Sequence, residues 1–185
     1  MPLKGLVDSA MALGCDDVEH VIMLQRGGVD APMVAGRDLG WDEFLARGEG
    51  QSGAYLPVES NTPAFIPATS GTTAKPKLAI HKHGGYQVHI HSMGNWVFGL
   101  KETDVWWATS DIGWIVGHSY MVYAPLLRGA STIVFEGSID YPGPDVIWKI
   151  VAEHRVSGLF TSPTAVRLLM RYGEQHALKH DLSSL

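Results

Sequence analysis

Apolar positions along the chain alternate between helical and strand spacing, and the alternation orders the elements. Leu3, Leu6, Val7, Ala10, Met11 and Leu13 recur at helical spacing, which predicts an amphipathic helix over Leu3–Leu13. Glu19–Gln25 reads as a strand, Arg26-Gly27-Gly28 as a turn and Trp41–Ala46 as a short helix. Arg47–Thr62 is rich in Gly, Ser, Pro and Asn and reads as loop. Ala64–Ala68 is a strand, and a second one starts at Lys77-Leu78-Ala79-Ile80-His81. Gly84–Leu100 reads as a helix with a mixed face. Val105–Thr109 follows as a strand, then Trp114–Leu127 as an apolar helix closed by Arg128-Gly129. Ser131–Phe135 is a strand, Pro144–His154 a helix, Gly158–Thr161 a strand and Thr164–Arg171 a helix. From Asp104 onward, strand and helix therefore alternate. That order predicts right-handed βαβ units on a largely parallel sheet with flanking helices, an α/β fold.

Between the two strands that meet at Ala68 and Lys77 lies Ala68-Thr69-Ser70-Gly71-Thr72-Thr73-Ala74-Lys75-Pro76-Lys77. It holds four hydroxyl residues, a glycine and two lysines in ten positions. Hydroxyls and backbone N–H groups donate to phosphate oxygens, and ammonium groups offset their charge. Gly71 permits close backbone approach, and Pro76 stiffens the exit. The segment is not a Walker A loop, which needs Gly before its Lys and a helix after it. It reads as a phosphate loop between strands, with a polar surface hairpin as the alternative from composition alone.

The wording Thr-Ser-Gly-Thr-Thr-x-Lys-Pro-Lys resembles the signature of the adenylate-forming enzymes. That family usually has Gly where this chain has Ala74 and Leu78. Asp111-Ile112-Gly113-Trp114-Ile115-Val116-Gly117-His118-Ser119-Tyr120 resembles the acyl-pocket segment of acetyl- and propionyl-CoA synthetases. Phe135-Glu136-Gly137, Thr161-Ser162-Pro163-Thr164-Ala165-Val166-Arg167, Pro2-Leu3-Lys4 and Val18-Glu19-His20-Val21-Ile22 resemble the same subfamily in the same order, so the likeness covers essentially the whole chain. It implies a partial AMP-binding domain over residues 1–185, internal to the large N-terminal domain of a longer enzyme. Residues 1–62 would form the leading region, and 63–185 the phosphate loop and βαβ core. The adenine, ribose and catalytic-lysine residues would lie outside it.

The resemblance also implies roles. Thr69, Ser70, Gly71, Thr72, Thr73, Lys75 and Lys77 would hold the ATP phosphates. Trp114 would gate the acyl pocket, with Ile115 and Val116 as its lining. Val116, Asp140 and Ser162 match positions that contact CoA, although Asp140 replaces a usual Asn and Ser162 a usual Ala. The substrates implied are ATP with Mg²⁺, CoA and a short carboxylate. Acetate and propionate stay open, with Val116 tilting toward propionate. Read without the resemblance, Trp114–Val116 is simply a piece of core helix.

Composition sets the outer limits. The chain has 185 residues, 45% hydrophobic and 18% charged, enough for one domain with a core. Its net charge of −5, with no basic stripe, argues against nucleic acid as a partner. No run of 18 apolar residues or signal-peptide pattern occurs, and the one cysteine, Cys15, forms no internal disulfide. These features fit a cytoplasmic protein without a membrane partner. His81, His83, His89, His91 and His118 invite a metal reading, but no acidic or cysteine cluster completes a site, so no protein-held metal is expected.

Two functions follow. One is an AMP-forming short-chain acyl-CoA synthetase, of which this chain supplies the phosphate loop and acyl-pocket segment and is inactive alone. The other, motivated by Ala74, Leu78 and Asp140, is a nucleotide- or CoA-binding protein that keeps the fold without turnover. A third and weaker option transfers the acyl group to a carrier protein. Self-association through surface left uncovered is expected of an internal segment.

Overall fold

The computed structural model describes residues 3–26, 31–69 and 76–185. They fall into two units, Met1–Leu56 and Pro57–Leu185.

The first unit holds helix α1 (Lys4–Met11), strands β1 (Val21–Met23) and β2 (Asp38–Gly40), and helix α2 (Trp41–Arg47). β1 and β2 pair in parallel, Val21 opposite Asp38. The strand β2 carries no long apolar run, and the sequence reading passed over it. Beside the buried Leu39, this unit buries charge. Lys4 Nζ lies 2.7 Å from Asp8 and 2.8 Å from Asp38, whose side chain is fully buried. Arg37 closes the cluster, 2.6 Å from Asp8 and 2.5 Å from Asp38. Two cations face two carboxylates, so every buried charge has an opposite partner, as burial of charge requires.

The second unit begins with a hairpin. β3 (Pro63–Phe65) pairs antiparallel with β6 (His81–Lys82), and β4 (Ala68–Thr69) with β5 (Lys77–Leu78). The two continuous strands expected here are interrupted. Pro67 has no N–H, so only its carbonyl joins the ladder, accepting from Ala79 at 3.1 Å.

The sheet proper has three parallel strands in the order β8-β7-β9: β7 (Val105–Ala108), β8 (Ser131–Ile133) and β9 (Gly158–Phe160). The chain leaves the central β7 for β8 on one side, then crosses to β9 on the other. Right-handed crossovers in opposite directions put their helices on opposite faces. The core shows that division. Successive strand residues point to opposite faces, so adjacent Trp106 and Trp107 serve different layers. Trp106 packs with Ile90, Leu100 and Ala124. Trp107 packs with Ile147, Val151, Val156 and Leu169. The first layer is built from α3 (His83–Ser92), its π-helical extension Met93–Val97, and a second helix. That helix runs through α4 (Ile115–Gly117), a π-helical stretch His118–Tyr123 and α5 (Ala124–Leu127). The other layer is α6 (Val146–His154) and α7 (Pro163–Tyr172), followed by the 3₁₀ helix Glu174–Lys179 that the sequence pattern did not disclose.

The π-helical stretch has an identifiable anchor. In i→i+5 bonding, the Tyr120 carbonyl would look to the nitrogen of Pro125, which carries no hydrogen. Trp106 Nε1 donates to that carbonyl instead, at 2.6 Å, and Thr132 Oγ1 donates to the Met121 carbonyl at 2.6 Å. Side chains of β7 and β8 thus bond two successive carbonyls of this helix, one of which Pro125 leaves without a helical donor. At the end of α6, Arg155 takes a left-handed conformation (φ 49°), and Val156 N–H closes a bond to the Val151 carbonyl at 3.0 Å. No helix among the described residues is long and apolar enough to cross a membrane.

Candidate functional site

The carboxyl ends of β7 and β9 open into a cleft of about 680 Å³. In open α/β sheets ligands bind at this edge, where the strand order reverses. Thr109 and Ser110 enter it directly from β7, and Thr161 and Ser162 from β9. The Thr109 and Thr161 hydroxyls share a hydrogen bond of 2.7 Å, and Thr109 N–H donates to the Phe160 carbonyl at 3.0 Å. These bonds tie the two strand ends together under the cleft floor.

One wall is the turn before α4. Gly113 N–H donates to Asp111 Oδ1 at 2.6 Å, and Trp114 N–H to the Asp111 carbonyl at 3.1 Å. Trp114 is 70% exposed and stands in the cleft, unlike the buried Trp106 and Trp107. Val116 lines the same cleft and also a neighbouring cavity of about 580 Å³, which takes Ile115, Tyr86 and Ser119. Gly117 brings the helix onto this turn: a Cβ there would stand 2.4 Å from the Asp111 carbonyl oxygen. Only glycine permits that approach. Tyr86 and Ser119 share a hydrogen bond of 2.8 Å, and burial raises the Tyr86 phenol above its usual value, keeping it protonated.

The opposite wall is the start of α7. Ser162 caps that helix, its Oγ accepting from Ala165 N–H at 3.1 Å, and Pro163 occupies the first helical position. The cap gives this serine a local structural task. The sequence signal was present in Ser162-Pro163, a cap residue before a helix-starting proline. The third side is the loop Gly137-Ser138-Ile139. Asp140 follows it and does not line the cleft. Its Oδ1 accepts from the Ser138 hydroxyl, and its Oδ2 from the Tyr172 hydroxyl at 2.8 Å. These bonds hold the Asp140 carboxyl below its usual value, and the carboxylate in turn raises the Tyr172 phenol.

Of the predicted phosphate-loop residues, Thr69 and Lys77 belong to the described hairpin. They face each other in β4 and β5, and Thr69 Oγ1 donates to the Lys77 carbonyl at 3.1 Å. Both are exposed. Ser70, Gly71, Thr72, Thr73 and Lys75 lie outside the described residues. The structure thus brings Trp114, Val116 and Ser162 around one cleft, puts Ile115 in the adjoining cavity, and sets Asp140 behind the loop. Thr109 and Thr161, which close the floor, were given no site role by the sequence reading, although Thr161 opens one of the motifs quoted above; a hydroxyl directly after a strand at the expected ligand edge was the available signal.

The histidines have separate surroundings. His81 stacks on Phe65 with centroids 4.8 Å apart, and His83 begins α3 rather than continuing the strand. His91 Nε2 sits 3.1 Å from Arg128. Among the described residues no three His, Cys, Asp or Glu side chains converge as metal ligands.

Fold and cleft define an α/β protein with a candidate ligand cleft at the carboxyl edge of a parallel sheet. Residues 8–185 match the AMP-binding enzyme family, and the chain belongs to it. It is 47% identical over 188 residues to acetyl-coenzyme A synthetase of Pyrobaculum aerophilum, covering 99% of this chain and 28% of that protein. With the synthetase of Rhodopirellula baltica it shares 46% identity over 185 residues, 100% of this chain and 27% of the relative. With that of Methanothrix soehngenii it shares 45% over 185 residues, with the same coverage. The chain therefore spans little more than a quarter of the curated relatives it matches.

Proposed function

We propose that this chain is part of an AMP-forming short-chain acyl-CoA synthetase. In the first half-reaction a carboxylate oxygen attacks the α-phosphorus of ATP, and the bond to pyrophosphate breaks, leaving an acyl-adenylate. In the second, the CoA sulfur attacks the acyl carbonyl and AMP departs. The observation that carries the reading is the cleft at the carboxyl edge of β7 and β9. It is walled by Trp114 and Val116 on one side and by the Ser162 cap of α7 on the other. The relatives named above are acetyl-coenzyme A synthetases, which supports the same chemistry here.

In this reading Lys77 and Lys75 offset charge on the β and γ phosphates as pyrophosphate leaves. The hydroxyls and N–H groups of Thr69, Ser70, Gly71, Thr72 and Thr73 add hydrogen bonds. Mg²⁺ enters with ATP as part of that substrate, bound mainly by phosphate oxygen. Trp114, Ile115 and Val116 surround a short alkyl tail, of acetate or propionate. Val116 and Ser162 border the path of the CoA thiol arm, and Asp140 acts on that path through its loop. The cytoplasm is the place that fits the lone thiol of Cys15. Self-association belongs to the reading, since Leu78, Trp96, Trp114 and Tyr141 are each at least 70% exposed.

Carboxylate-dependent ATP–pyrophosphate exchange, run on the natural-length protein with acetate, propionate and butyrate, tests the reading. Exchange with one acid identifies the substrate. Lys77→Ala is expected to slow it at least about a hundredfold, the scale of losing one transition-state charge contact. Normal exchange in that variant would remove Lys77 from the phosphate site. No exchange from folded wild-type protein would favour a nucleotide-binding protein without turnover, and would make Ala74 and Leu78 the residues to revert to glycine.

A further inference from the structure

Of the predicted CoA-side positions Val116, Asp140 and Ser162, Asp140 alone does not line the cleft, and both of its carboxylate oxygens accept from other side chains of the protein. Its two carboxylate oxygens hold two different walls. Oδ1 takes the hydroxyl of Ser138, which lines the cleft, and Oδ2 takes the hydroxyl of Tyr172 at 2.8 Å. Tyr172 is the last residue of α7 and lies one turn beyond Leu168, which also lines the cleft. Residues four apart share a helix face. The same face of α7 therefore borders the cleft at Leu168 and grips the loop at Tyr172.

We propose that Asp140 is a positioning residue whose carboxylate clasps the Gly137–Ile139 loop to the end of α7, and so sets the width of the cleft that receives the CoA thiol arm. The ligand role rests on the function proposed above; the clasp rests on the hydrogen bonds alone. An asparagine amide has one acceptor oxygen, so it could meet the second hydroxyl only by donating its N–H to it, a neutral bond in place of a charge-assisted one. The aspartate that looks misplaced beside an anionic substrate is accounted for by this task. Its charge is directed at two donors, and hydrogen bonds to an ionised acceptor are the stronger kind.

The test uses Tyr172→Phe, which removes one hydroxyl and keeps the ring. Tyr141 N–H donates to the Ser138 carbonyl at 3.0 Å and reports opening of the loop. In the natural-length protein its amide hydrogen exchange is expected to accelerate about tenfold, the scale of a lost charge-assisted bond. The KM for CoA is expected to rise about fivefold, and by a larger factor than any change in carboxylate-dependent pyrophosphate exchange. Adding Asp140→Asn to Tyr172→Phe should then change both readouts by less than Asp140→Asn does in the wild type. Unchanged Tyr141 exchange overturns the clasp whatever the activity. Faster Tyr141 exchange with an unaltered CoA KM in an active enzyme overturns the positioning role. A clasp seen by hydrogen exchange in a protein with no acyl-CoA formation supports the clasp and counts against the enzyme reading.

Discussion

At the scale of single residues, two positions that look like departures from a motif, Ser162 and Asp140, have local physical tasks. Ser162 is a helix cap, and its hydroxyl oxygen already accepts from Ala165 N–H. Replacing it with alanine, the residue usual in the resembling enzymes, is expected to lower stability by about 1 kcal/mol. Urea denaturation of the two proteins side by side checks this, and equal midpoints would remove the cap from the account. The order Ser162-Pro163 carried a cap signal, but the sequence reading began the helix at Thr164 and did not use it. The partnership of Asp140 with Tyr172, thirty-two positions apart, did not announce itself, because nothing in the neighbourhood of either residue points to the other. Trp114 stood between two readings, core helix and cleft wall. Its 70% exposure in the cleft beside Val116 shows that it is not a buried core residue.

At the scale of elements, the alternating strands and helices after Asp104 were legible because each helix is apolar on one side and each strand is short and β-branched or aromatic. Their ends shifted by a residue or two, as helix and strand ends commonly do. The hairpin was less legible: Pro67 splits what reads as one strand into β3 and β4. The π-helical stretch was not legible at all. Trp106 reaches the Tyr120 carbonyl that Pro125 leaves without a partner, and Thr132 adds a bond to the next carbonyl, that of Met121. The central strand carries Trp107, the largest fully buried side chain among the described residues. Trp107 is 1% exposed and meets α6 and α7. Trp107→Ala is expected to destabilise the second unit by about 3–5 kcal/mol, through lost burial and the cavity left behind. A melting temperature within a degree or so of the wild type would show that this layer repacks around the gap.

At the scale of the whole molecule, the two units differ in what holds them. Pro57–Leu185 has two apolar layers about a parallel sheet. Met1–Leu56 relies on the buried cluster of Lys4, Asp8, Arg37 and Asp38. Its pH dependence has a definite sign. Hydrogen bonds from Arg37 and Lys4 hold Asp38 below its usual 3.8, and those from Lys4 and Arg37 do the same for Asp8. Carboxylates depressed in this way stabilise fully above 3.8 and cease to do so as pH falls through their folded values. Lys4 is raised above its usual 10.5 by Asp38 and Asp8, so its contribution is complete below 10.5 and disappears as pH rises through the folded value. Arg37 stays protonated throughout. The first unit is therefore expected to be steady between those limits and to open in acid well below 3.8, while the apolar layers of the second unit hold longer. Hydrogen exchange on α1 and β2 against pH checks this. Equal acid sensitivity of both units would mean that the cluster does not govern the first.

The sequence by itself determined the α/β class, the alternation of strands and helices from Asp104 to Tyr172 and the place of Trp114 and Val116 at the start of an apolar helix. All of these depend on neighbours within a few positions, where periodicity and cap chemistry act. Only the tertiary structure decided the strand order β8-β7-β9, the assignment of Trp106 and Trp107 to opposite layers, the parallel pairing of β2, the charge cluster of the first unit and the inward grip of Asp140. Each of these joins residues far apart along the chain. Such contacts form only where the folded backbone brings the partners within bonding distance, and no local pattern records that meeting.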